Sequence, residues 1–146
     1  MRRRTFPRVK VLATNYLVDA GPIIGLFSHD DQWHDWSHEV LTALDTPLAT
    51  TETIWAEICH HLTRDRPSLI AAATAVREGN IVLHAGWSEV TRMIALLEKY
   101  PRMDAGDASL VVLSERLPKA RIITTDVRDF TVYRRFRNEP LPLIHP

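Results

Sequence analysis

Apolar residues follow two rhythms along the chain. Short runs of strand length, at residues 15–18, "PLAT" from Pro47, "NIVLH" from Asn80 and "ARIITTD" from Ala120, alternate with longer segments whose apolar positions recur every three or four residues. That alternation predicts a parallel sheet with helices on its faces. Gly21-Pro22 starts a short helix running through Phe27. Asp30 or Asp31 caps a second, "DQWHDWSHEVLTAL", with Trp33, Trp36, Val40, Leu41 and Leu44 on its apolar face. Thr51 caps "ETIWAEICHHLTR", where Ile54, Ile58 and Leu62 form one stripe. Pro67 suits the first turn of the next helix, which Gly79 stops. "WSEVTRMIALLEKY" and "DAGDASLVVLSERL" are two more helices, ended by Pro101 and Pro118, and "PLPLI" near the C-terminus fits an edge strand, where proline is tolerated.

Two of the predicted strands end on a carboxylate: Asp19 follows the first and Asp126 follows "ARIITT". An ionised carboxylate buried without a partner costs several kcal/mol, comparable with the whole stability of a domain. In open parallel sheets, however, ligands bind outside the carboxyl ends of the strands, so both acids can face one crevice if their strands are neighbours. Glu57 lies beside the apolar stripe of its helix, and Asp104 and Asp107 open theirs one turn apart. Taken singly, Asp104 and Asp107 also read as helix-capping acids and Glu57 as a surface residue. Together the acids repel one another, and a divalent cation relieves that repulsion. Oxygen-only ligands suit Mg²⁺ or Mn²⁺ better than zinc. Such an ion activates water toward a phosphodiester, so the implied chemistry is phosphoryl hydrolysis.

The chain has 146 residues, 45% hydrophobic and 25% charged, which fits one globular domain. Its 18 basic and 18 acidic residues balance, so any nucleic-acid contact must come from local patches. The single Cys59 excludes an internal disulfide and reads as a small buried side chain, and a reducing cytoplasm is the expected compartment. Arg2, Arg3, Arg4, Arg8 and Lys10 imitate a secretory leader, but Pro7, Asn15 and Asp19 interrupt the pattern, and no apolar run approaches a membrane span. Residues 1–14 are therefore read as a basic extension ahead of a single domain over residues 15–146.

"YLVDAGPIIGLF", "TTETIWAEICHHL", "MDAGDASLVVLSERL" and "ARIITTDVRDFTVYR" resemble, in order and spacing, the successive motifs of PIN-domain ribonucleases of the VapC type, the toxins of bacterial toxin–antitoxin pairs. The resemblance implies an α/β/α sandwich around a parallel sheet and a Mg²⁺- or Mn²⁺-dependent endoribonuclease. It also implies a homodimer and an antitoxin that covers the site. It carries catalytic, metal-binding roles onto Asp19, Glu57, Asp107 and Asp126, with Asp104 as an accessory acid.

Thr124 and Thr125 are placed to hold a metal-bound water or a phosphate oxygen, although alternation along a strand turns one of them away. Arg128, Arg134 and Arg135 interleave with Phe130, Tyr133 and Phe136, a composition suited to phosphate contact and base stacking or, alternatively, to a solvated segment with aromatic anchors. His34 and His38 have a metal-binding spacing but lack the glutamate of an H-E-x-x-H site. A haloacid-type phosphatase needs a second aspartate where Gly21 stands, and neither a G-x-S-x-G elbow nor a P-loop is present. The competing function is a PIN-like module that binds RNA or protein without cutting. The complete acid set argues against it.

Overall fold

The computed structural model describes residues 14–146, so the basic extension, Thr14 apart, lies outside the described residues. The first strand, β1 (Tyr16–Val18), is short, and Leu17 and Val18 are both fully buried. It is followed at once by α1 (Ala20–Phe27), and then by α2 (His34–Thr42), β2 (Leu48–Thr51), α3 (Glu52–His61) and α4 (Arg66–Arg77). β3 (Ile81–His84), α5 (Val90–Lys99), α6 (Ala105–Arg116), β4 (Arg121–Ile123) and the short α7 (Val127–Phe130) come next. The chain closes with a hairpin of β5 (Arg134–Arg135) and β6 (Glu139–Pro140) and with β7 (Leu143–Ile144).

Five parallel strands form the central sheet in the order β3-β2-β1-β4-β7, flanked by helices in the expected α/β/α arrangement. The chain walks outward from β1 to β3 and then returns to lay β4 on the other side of β1. The order therefore reverses between β1 and β4, which is where an open α/β sheet leaves a crevice. Leu17 pairs with Ile122 and Val18 with Ile123, so the two strands finish level and deliver Asp19 and Thr124 side by side. The proline-rich tail pairs with β4 from the edge, as its composition predicts, with Ile122 N–H donating to Pro142 O at 2.7 Å.

Helix boundaries follow local chemistry. Thr51 caps α3 through a bond from Ile54 N–H to its hydroxyl, and Ile54, Ile58 and Leu62 bury the predicted stripe. Asp65 caps α4, and Pro67 lies in its first turn. The second helix starts later than expected. Asp31 spends its carboxylate on Trp33 N–H in a tight turn, so α2 begins only at His34, leaving Trp33 outside the helix while Trp36 packs against the core.

α6 is buried on nearly every side, from Gly106 through Ser114. It packs on α3, α5, β2 and β5, and is the pillar of the domain. Its polar side chains are satisfied internally: Ser109 bonds Thr51 and the Gly106 carbonyl, and Ser114 receives Arg135. Among the described residues no helix is long and apolar enough to cross a membrane.

Between β5 and β6, Arg137 and Asn138 both adopt positive φ, 60° and 57°. Asparagine tolerates this conformation, but an arginine pays a steric cost of about 1–2 kcal/mol there, against about 0.5–1 kcal/mol for the extra unfolded freedom of a glycine. Arg137→Gly is therefore expected to raise stability by about 0.5–1 kcal/mol. Urea denaturation checks this, through a higher midpoint at unchanged slope, and an unchanged or lowered midpoint contradicts it.

Candidate active site

Asp19 ends β1 and caps α1, its Oδ1 accepting the Ala20 N–H at 2.8 Å. Its Oδ2 accepts the hydroxyl of Thr124 at 2.8 Å, and the same hydroxyl oxygen accepts the Asp126 N–H at 3.0 Å. One buried threonine thus ties the two strand-end aspartates together. Asp126 in turn caps α7, taking the Asp129 N–H on Oδ1 at 3.1 Å. Asp104 caps α6 by accepting the Asp107 N–H at 2.8 Å, which fixes the first turn on which Asp107 stands.

Asp107 is held from the far side by the Tyr133 hydroxyl, which donates to Oδ2 at 2.6 Å. Tyr133 is buried, with Tyr100 and Phe130 edge-on to its ring at centroid distances of 5.2 and 5.3 Å. Glu57 approaches from α3. A Cβ added to Gly106 would stand 3.3 Å from both Glu57 Oε2 and Asp104 Oδ1, so the absence of a side chain there lets α3 and α6 bring these acids to one lip of the cleft. Gly21 plays the same part opposite, since a Cβ on it would lie 2.3 Å from the Thr125 hydroxyl.

The electrostatics record the crowding. Burial raises Asp19 from 3.8 to about 6, with the Thr124 and Ala20 bonds opposing the rise and the charges of Glu57 and Asp126 adding to it. Burial raises Asp107 to about 8, opposed by Tyr133 and reinforced by Asp19, Asp104 and Asp126. Glu57 is raised by burial and by Asp104, with His61 one turn on pulling it back. All five acids therefore share one field.

Among the described residues no three acids, histidines or cysteines stand close enough to share one ion as they are placed. The acids line a cleft rather than form a cage. The donor set still fits a hard cation, because Mg²⁺ retains several waters and takes only one or two carboxylates from a protein. Asp104 Oδ2, Asp107 Oδ1, Asp126 Oδ2 and both oxygens of Glu57 accept no hydrogen bond among the described residues, and each engaged carboxylate oxygen keeps a second lone pair.

Several expectations change. Thr124 is fully buried and its hydroxyl is engaged on both sides, so it positions Asp19 instead of holding a water or phosphate; Thr125 sits over Gly21. Arg135 is buried, bonding Ser114, the Pro118 carbonyl and Glu139, and is not available to RNA. Arg134 turns one guanidinium nitrogen onto the carbonyls of Thr131, Val132 and Tyr133 and closes the end of α7. Phe130 is a core residue and Tyr133 is nearly so, with its hydroxyl spent on Asp107, while Phe136 is exposed with Arg92 4.2 Å over its ring. Only Arg128 of the three arginines keeps an exposed, uncommitted place. The role of Tyr133 toward Asp107 had no sequence signal, because the two lie 26 residues apart and nothing local marks the bond.

The fold and site define an α/β protein that gathers carboxylates at the carboxyl edge of a parallel sheet. The chain belongs to the PIN domain family, whose profile matches residues 16–136. A search of curated protein sequences finds no match. Among solved structures it is similar to VapC20 of Mycobacterium tuberculosis, described as a Sarcin-Ricin loop cleaving toxin, at TM-score 0.61 and 15% identity over 74% of this chain and 87% of that one. It is also similar to a toxin–antitoxin complex from Klebsiella pneumoniae, at 0.64 and 20% over 80% and 90%. VapBC2 of Rickettsia felis, bound to a DNA fragment from its promoter, matches at 0.60 and 12% over 91% and 99%.

Two outcomes are expected. Thr124→Val leaves Asp19 Oδ2 and the Asp126 N–H without their shared partner and should cost about 1–3 kcal/mol, with Thr124→Ser recovering most of it; chemical denaturation of both variants decides this. Asp19 and Asp107 have folded pKa values above their unfolded ones, so their stabilisation is complete below about pH 4 and is lost as pH rises through about 6 and then about 8. In EDTA the melting temperature should fall by several degrees between pH 5 and 8, and Asp107→Asn should flatten the upper part of that fall. A flat profile for the parent protein contradicts the assignment.

Proposed function

We propose that this chain is a Mg²⁺- or Mn²⁺-dependent endoribonuclease that hydrolyses phosphodiester bonds of structured RNA, and that it acts in the cytoplasm as the toxin of a toxin–antitoxin pair. The observation that carries this reading is the organised acid set: Thr124 and Tyr133 aim two carboxylates whose mutual repulsion is useful only if a cation is to be held. Family membership and the toxins among the similar structures support it. A partner antitoxin that covers the cleft and a homodimeric state belong to the same reading.

Asp19, Glu57, Asp107 and Asp126 would hold the ion, with Asp104 as an accessory acid. When bound, the metal lowers the pKa of water and stabilises charge on the phosphate oxygens. The protein's own groups do the rest. Thr124 keeps Asp19 from turning into α1, and Tyr133 occupies Asp107 Oδ2 so that Oδ1 faces the cleft. Thr125, half-buried above Gly21, stands as the hydroxyl closest in sequence to both Asp126 and the engaged Thr124 and is the remaining candidate to position a water or phosphate oxygen. Arg128 supplies a cation for the substrate backbone.

The deciding experiment is incubation of total bacterial RNA with the purified, partner-free protein, in Mg²⁺ or Mn²⁺ and in EDTA, beside Asp19→Asn. Discrete fragments are expected with metal only, reduced in the variant by on the order of 10²-fold or more. The cation should also raise the melting temperature of the parent protein more than that of the variant. A folded parent that cuts nothing with either metal would leave the non-cleaving binding module, and a variant that cuts at the parent rate removes Asp19 from the site.

A further inference from the structure

Beside the acid cluster lies a hollow of about 280 Å³, walled by Tyr100, Pro101, Val132 and Tyr133 and flanked by Arg102 and Arg128. Two of its lining residues touch the acid set. Tyr133 forms its floor while its hydroxyl reaches Asp107, and Asp129, also on the wall, gives its N–H to Asp126. We propose that this hollow seats a single unpaired nucleobase of the RNA next to the bond being cut, an inference that rests on the ribonuclease reading and names the subsite that reading lacks.

Size, surface and charge support that occupant. The volume sits at the lower limit of ligand pockets and accommodates one flat heterocycle. The wall is almost wholly apolar, yet it stands beside a site built of carboxylates, and Val132 on that wall is 57% exposed, with nothing among the described residues covering it. An isolated apolar wall next to a charged cleft suits a ligand that is itself flat and apolar on its faces but joined to a charged chain. Single-stranded RNA has that character, and its splayed bases are recognised by apolar surfaces and guanidinium planes.

The two arginines fit the same occupant. Arg102 is held flat by a two-pronged bond to Asp129, 3.0 and 3.5 Å, with its guanidinium still largely exposed. Such a fixed plane can lie against a base face with little further loss of freedom. Arg128, on α7 immediately after the Asp126 cap, is placed to meet a phosphate of the same strand. A base bound between them fixes the strand relative to Asp107 and Asp126, so the hollow contributes to where the strand is cut.

The test uses the full chain and uncharged probes, so that phosphate attraction cannot imitate base binding. Adenosine, guanosine, cytidine and uridine are titrated separately while the Val132 methyl resonances are followed by NMR, with ribose as control. At least one nucleoside is expected to shift them saturably and ribose to leave them unmoved. Val132→Glu, at an exposed position, should weaken that binding by about tenfold or more, and Val132→Ala, shown folded by circular dichroism, should weaken it less. No shift with any nucleoside, an equal shift with ribose, or undiminished binding by a folded Val132→Glu overturns the proposal.

A second arm uses a mapped substrate carrying one abasic nucleotide at successive positions. One position beside the cut should lose about tenfold in kcat/KM with the parent protein, and far less with Val132→Glu; equal losses in both proteins, or none in the parent, count against the seat. The two readings fail separately. A protein that cuts RNA with metal but binds no nucleoside loses this seat and keeps the nuclease. One that binds nucleosides at Val132 but cuts nothing keeps the seat and loses the nuclease.

Discussion

The structure turns on one hydroxyl group. Thr124 Oγ1 donates to Asp19 and accepts from the backbone of Asp126, linking the ends of the two strands between which the sheet reverses direction. The link fixes the Asp19 carboxylate and the backbone from which Asp126 projects, against the repulsion between the two acids. A neutral hydroxyl can do this where a lysine or arginine could not: it orients the acids without neutralising them. Burial raises the pKa of Asp19 and of Asp107, and the field of the neighbouring acids adds to it.

The rest of the domain can be read as a frame for that arrangement. β1 and β4 lie side by side because α5 and α6 carry the chain back across the sheet from β3. α6 then has to supply both a buried pillar and an acidic first turn. It does so by placing Asp104 at the cap and Asp107 one turn in, where the helix dipole favours negative charge, and by keeping its remaining length apolar or internally bonded. At its other end the buried Arg135 satisfies the Ser114 and Pro118 carbonyls and pairs with Glu139, clamping the terminal hairpin onto the pillar. The same short helix α7 is capped at one end by Asp126 and at the other by Arg134.

What was legible in the sequence was whatever depends on near neighbours. The caps at Thr51 and Asp104, the edge strand at Leu143–Ile144 and the strand-end aspartates all announce themselves within a few residues. The late start of α2 was missed because Asp31 has two local uses, and the turn won over the cap. The arginines after Asp126 were misread for a different reason. A guanidinium bound to carbonyls at a helix end and one offered to a phosphate look alike as a composition, and only the position of α6 decides that Arg135 is consumed. The bond from Tyr133 to Asp107 was likewise invisible, since a tyrosine's partner 26 residues away leaves no trace in spacing.

These reassignments also account for a balanced charge in a chain proposed to handle a polyanion. With 18 basic and 18 acidic residues, no overall field draws RNA in. Two of the arginines nearest the C-terminal hairpin are spent on the fold, and the acids at the cleft repel phosphate until a cation is present. Attraction must then be local and conditional: a bound divalent cation would offset part of the cleft's negative charge, and Arg102 and Arg128 at its flank would act over a few ångströms, within a screening length of about 8–10 Å at ordinary salt. On the proposed reading, a protein built this way would hold RNA only where a strand reaches both the metal and the flanking hollow, so its selectivity would reside in strand geometry more than in charge.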